Sequence, residues 1–189
     1  MNRAEARQLD CEIREQLAVY SKNQKLDVSF GETIMDQYLE IIPDDSKRDM
    51  IFLGEKSASY KLGNARLDLK SVLLAAADFV VSMSQPESIF QYIQLAIISV
   101  LCIGAAVKKE LDYNCAVIVY ALHQMDAYER GVSTDHLKCK IEDMMECYHA
   151  EDFEMNRLER NINELLKWNI IRMEEELIFL NETVWGKIK

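Results

Sequence analysis

The chain has 189 residues, 49% of them hydrophobic and 29% charged, which suits one compact unit or two small ones. Six Gly and two Pro leave few breaks and favour long helices over a many-turned β architecture. A formal net charge of -10 promotes solubility, opposes non-specific binding to phosphate and leaves basic proteins as natural partners.

At the N-terminus, Ala6, Leu9, Ile13, Leu17 and Tyr20 recur at helical spacing, predicting a helix over residues 2–20. This stripe can pack on the chain's own core or on a second subunit, and the first is the expectation. The start has no signal-peptide core. Ser29, Phe30, Gly31 and Glu32 read as a capping box opening a second helix with Ile34, Tyr38, Leu39 and Ile42, ended by Pro43. Residues 44–64 fit either strands or single helical turns.

A helix follows over residues 69–82, with Asp78 as the lone carboxylate in LLAAADFVV. A carboxylate there pairs with a cation such as Lys61 or Arg66, or it faces outward. Residues 88–107, SIFQYIQLAIISVLCIGAAV, carry no charge and are long enough to cross a bilayer. Gln91 and Gln94 inside the run, the cap at residues 84–87 and the apolar neighbours favour a buried core helix instead. No membrane association is expected.

Further helices are expected from Asp112 to about Glu129, with Gly131 in the left-handed turn beyond, and from Ser133 onward with Leu137, Ile141, Met144 and Tyr148 inward. A third runs from about Phe153 to Trp168. The hairpin sequence IIRMEEELIFL closes the pattern.

The five cysteines are odd in number and lack CxxC spacing, which predicts reduced thiols and a cytoplasmic protein. His136, Cys139, Cys147 and His149 are the ligand types worth testing for a metal. Their spacing along one helix does not close a site, so no metal and no cofactor is expected. There is no GxSxG, glycine-rich phosphate loop or HExxH, and no enzymatic activity is expected. His123, near the end of an apolar helix, reads as structural.

Residues 112–189 resemble the winged helix-turn-helix superfamily. YNCAVIVYALHQMDAYE stands as its first helix, STDHLKCKIEDMMECY as its second, FEMNRLERNINELLKWN as its recognition helix and IIRMEEELIFL as its wing. Asn169 takes the place of the glycine that usually ends the recognition helix. The sequence departs from that pattern at the link around residues 149–152, and in its wing, whose tip is Glu174, Glu175 and Glu176. The fold class expected is mainly α, with a helical N-terminal portion (1–110) packed on a winged-helix-like module (111–189) that ends in a short two-stranded hairpin.

The resemblance implies contacts on the outward face of the third helix. Helical periodicity turns Met155, Leu158, Ile162, Leu165 and Leu166 inward, and Asn156, Arg157, Arg160, Glu164 and Lys167 outward. With Arg172 of the wing, these outward residues are the candidate contacts for nucleic acid or for a protein partner. Arg and Asn suit base edges, whereas Glu164 can satisfy Arg160 and Lys167 along the helix. Residues 133–189 carry 8 basic and 13 acidic residues, a net of -5. The expected function is therefore a non-catalytic regulator or adaptor binding another, basic, protein through an acidic surface. A DNA-binding transcriptional regulator using the third helix is the alternative, and homodimerisation stays open.

Overall fold

The computed structural model describes residues 1–43, 64–83, 88–103, 112–148 and 152–186. Among these the protein is mainly helical, with two three-stranded antiparallel sheets.

Helix α1 (Arg3–Asn23) begins at an Asn2 cap whose side-chain oxygen accepts from the N–H groups of Ala4 and Glu5, each at 2.9 Å. The Glu5 carboxylate accepts in return from the Asn2 N–H at 2.7 Å, completing a capping box. Ala6, Ile13 and Leu17 of the expected stripe are buried, with Leu9 and Tyr20 packed at its margin.

The second helix differs from expectation. Asp27, not Ser29, caps α2 (Val28–Thr33), accepting from the Ser29 N–H at 2.8 Å. After six residues the helix widens into a π-helical turn, Ile34–Tyr38, and the chain leaves as strand β1 (Leu39–Ile41). The expected helical residues Leu39 and Ile42 lie in or beside that strand. Long-range pairing with β2 (Ala65–Asp68) supplies hydrogen bonds that local propensity does not foresee.

Helix α3 (Leu69–Met83) buries Leu69, Val72, Leu73, Ala76 and Val80. Helix α4 (Ile89–Ile103) is the centre of the core and is buried on nearly every face. Its 15 residues span about 22 Å at 1.5 Å per residue, against the ~30 Å of a bilayer core. Among the described residues no helix is long and apolar enough to cross a membrane. The expected cap at residues 84–87 and most of residues 44–64 lie outside the described residues.

Helix α5 (Tyr113–Gln124) is buried from Asn114 to Leu122 and packs along α4. Phe90 of α4 meets Tyr113 and Tyr120 edge-on, with centroids 5.4 and 5.8 Å apart. The helix ends five residues before the expected Glu129. Asp126, at φ 54°, takes the left-handed position, while N–H groups of Asp126 and Ala127 bond the carbonyls of His123 and Leu122. Gly131 has a different role from the one its sequence position suggests. A Cβ there would sit 2.6 Å from both Leu177 Cβ and Phe179 Cζ, so glycine permits close approach to a strand.

Strand β3 (Val132–Ser133) leads into α6 (Thr134–Cys147), capped by Ser133 and buried through Leu137, Ile141 and Met144. The expected third helix is shorter than residues 153–168. Met155–Arg157 form a 3-10 turn, and α7 proper is Leu158–Lys167. Asn169 takes the left-handed conformation expected of it, at φ 55°, with the Asn169 and Ile170 N–H groups bonded back to Leu166 and Leu165.

Strands β4 (Ile171–Glu174) and β5 (Leu177–Leu180) form the expected hairpin, and β3 joins it to give the order β3-β5-β4. A two-residue strand is too short to leave a readable alternation, so the sequence shows only two of the three. Strand β6 (Thr183–Gly186) then crosses to the N-terminal portion and pairs with β2, in the order β1-β2-β6.

Candidate partner-binding surface

The start of α7 is tied to the start of α5 by a run of polar contacts. Asp112 caps α5, its Oδ1 accepting from the Asn114 N–H at 3.0 Å and from Asn114 Nδ2 at 2.6 Å. The amide oxygen of the buried Asn114 accepts from the Glu154 N–H at 2.8 Å, anchoring the chain just before the 3-10 turn. From this base two carboxylates reach the surface. Asp112 Oδ2 pairs with Arg160 Nη2 at 2.8 Å, and Glu154 Oε2 with Arg157 Nε at 2.8 Å.

Both candidate arginines of the third helix thus carry carboxylate partners, Arg160 from the start of α5 and Arg157 from three residues earlier in its own segment. Asn156, Arg157, Arg160 and Lys167 are exposed, as periodicity expects, and Glu164 is half-buried. Leu158, Ile162 and Leu165 are buried, with Met155 and Leu166 partly so. Asp112 and Glu154 were missed as parts of this surface; the first carried only a cap signal and the second only its i,i+3 spacing to Arg157. Asn161 was missed too. It is fully buried on the core side of α7, where Oδ1 accepts from Arg160 Nη2 at 3.5 Å.

Arg172 lies on the hairpin in a separate cluster. Its Nε bonds Glu174 Oε1 at 2.9 Å, Nη1 donates to Asn181 Oδ1 at 3.1 Å, and the guanidinium stacks 4.6 Å from the Phe179 ring centroid. Beyond it, Glu174 pairs with Leu177 across the ladder, leaving Glu175 and Glu176 as a two-residue loop. Their φ angles are 48° and 66°. That is a type I′ turn, a conformation suited to Asn-Gly and costly for glutamate.

The other titratable candidates fall elsewhere. His136, Cys139 and Cys147 are exposed on α6, and His149 lies outside the described residues. Among the described residues no group of three or more His, Cys, Asp or Glu is placed to hold a metal. His123 is partly buried, with Nδ1 2.6 Å from the Tyr128 hydroxyl. Burial lowers its pKa and Lys70 adds to this, while Asp126 opposes it. Burial pushes the thiols of Cys102 and Cys115 up to about 11 and about 12, so both stay protonated at neutral pH. Asp78 faces outward, and Arg66 instead lies over the Trp185 ring at 5.9 Å.

Comparison with known proteins finds no matching family model, no matching curated protein and no matching solved structure.

Proposed function

We propose that this is a non-catalytic regulatory or adaptor protein whose C-terminal unit is a winged-helix-like module adapted to bind a basic protein. The module reading rests on element order, helix, short strand, two helices and a hairpin, and on the sheet order β3-β5-β4. The observation that carries the protein-binding reading is the pairing of Arg157, Arg160 and Arg172 with Glu154, Asp112 and Glu174.

Duplex affinity depends on cations that displace counterions from phosphate. A guanidinium already facing a carboxylate brings little net charge to that exchange. The acidic hairpin tip would meet the backbone with like charge, whereas a basic protein surface meets both features favourably. The alternative, a DNA-binding regulator reading through Asn156, Arg157, Arg160 and Lys167, draws on the outward placement of those four side chains.

Affinity co-purification from the source cells tests the two, comparing the wild type with Glu174→Lys/Glu175→Lys/Glu176→Lys. The proposal expects a basic partner retained by the wild type and lost by the variant, with no duplex binding in a low-salt gel shift. A partner retained equally by both, together with salt-sensitive DNA binding weakened in Arg157→Ala and Arg160→Ala, would reverse the conclusion.

A further inference from the structure

Helix α3 is apolar on two sides. Its inner stripe belongs to the core, yet its outward face also carries large apolar side chains. Leu74 is 51% exposed and Val81 78%, and Asp78 is exposed between them. At 100° per residue, Leu74 and Val81 project within about 20° of each other, with Asp78 about 40° to one side. Single exposed aliphatics are ordinary on a protein surface. Two aligned on one face and flanking a carboxylate form a pattern, and the other exposed large aliphatics among the described residues, Val19, Val28 and Met173, lie on other elements. No ion pair joins Asp78 to a described cation.

We propose that this face docks an amphipathic helix of a partner protein that presents a Lys or Arg between two apolar side chains. Charge selects among the occupants. A second copy, packed two-fold on α3, would centre its dyad near residues 77–78 and bring two Asp78 carboxylates together, while the cation of α3, Lys70, stands eight residues away and is bonded to Glu182. An anionic membrane surface would meet a chain of net charge -10 and this same carboxylate. A basic residue flanked by apolar ones satisfies all three side chains at once, as in helix recognition through anchors one and two turns apart. The area offered by one 15-residue helix places the contact in the small, transient class of interfaces. This surface lies on the N-terminal portion and does not depend on the hairpin tip.

The test titrates the full chain against a fluorescently labelled helical peptide with a Leu, Lys, Leu face at the spacing of Leu74, Asp78 and Val81. Substituting the peptide Lys by Glu is expected to weaken binding about tenfold or more, the size of one desolvated charge contact. Asp78→Lys should reverse that preference, and Leu74→Ser/Val81→Ser should abolish binding of both peptides. All three side chains are exposed, so unchanged thermal midpoints will show that the variants fold. Binding should persist in Glu174→Lys/Glu175→Lys/Glu176→Lys, which separates this contact from the one proposed above. Equal affinity for the Lys and Glu peptides, an unchanged ranking in Asp78→Lys, or no binding would overturn the proposal. So would self-association or anionic-vesicle binding that disappears in Leu74→Ser/Val81→Ser.

Discussion

Asp112 takes part in two interactions of unequal weight. As the cap of α5 it satisfies the Asn114 N–H, a contact whose loss typically costs about 1–2 kcal/mol. As the partner of Arg160, whose side chain is 54% exposed, it forms an ion pair worth roughly 0.5 kcal/mol or less after solvent screening. Asp112→Ala should therefore lower stability by about 1–2 kcal/mol, and Arg160→Ala by no more than about 0.5 kcal/mol, in urea denaturation. Equal losses in the two variants would mean that the ion pair, not the cap, holds this corner. The candidate contacts were legible at this scale because helical periodicity predicts which side chains point outward. The carboxylate partner of Arg160 was not, since Arg160 and Asp112 meet only through the packing of α7 on α5.

At the scale of elements, the hairpin poses a conflict between local chemistry and charge. Glu175 and Glu176 both adopt positive φ, where glutamate is disfavoured by about 1 kcal/mol or more per residue. Replacing them by Asn and Gly, the pair suited to a type I′ turn, should raise stability by roughly 1 kcal/mol. The same double variant loses two charges from the tip and should capture the proposed basic partner less well. Stability and binding moving in opposite directions would identify the strained acidic turn as a feature kept for contact. A stabilised variant with undiminished capture would locate the contact elsewhere. Helix ends follow a similar logic. Lys25, Asp126 and Asn169 all turn left-handed after their helices. Asn169 was recognisable because Asn tolerates that conformation and sits where the apolar stripe ends. Lys25 is a residue type that disfavours it, and Asp126 lies inside a segment whose helical pattern runs on to Glu129.

For the whole molecule, the packing of α5 along α4, with strand β6 and the contacts beside it, joins the two portions. Val184 is buried opposite Leu67, and the Lys70 ammonium bonds Glu182 at 2.7 Å while lying 4.8 Å over the Tyr128 ring. One core cluster runs from Ile13 to Val184. The chain has two tryptophans, Trp168 at the end of α7 and Trp185 in β6, and they report on different elements. In the single-tryptophan variants Trp168→Phe and Trp185→Phe, urea transitions followed by fluorescence should coincide with each other and with circular dichroism. Separate midpoints would show that the portions unfold independently, with the α4–α5 packing and β6 only weak ties.

By itself the sequence determined the mainly helical class, the inward stripes of α1, α6 and α7, the burial of the long apolar helix and the closing hairpin. Each of those follows from side-chain spacing or a cap within a few residues, so neighbours in the chain encode it. Only the tertiary structure decided that α2 gives way to a strand, that Gly131 serves a close approach and that β6 returns to β2. It alone also decided that Arg160 of α7 faces a carboxylate from the start of α5. Those outcomes arise from hydrogen bonds, steric fit and ion pairs between residues far apart in the chain, where periodicity carries no information.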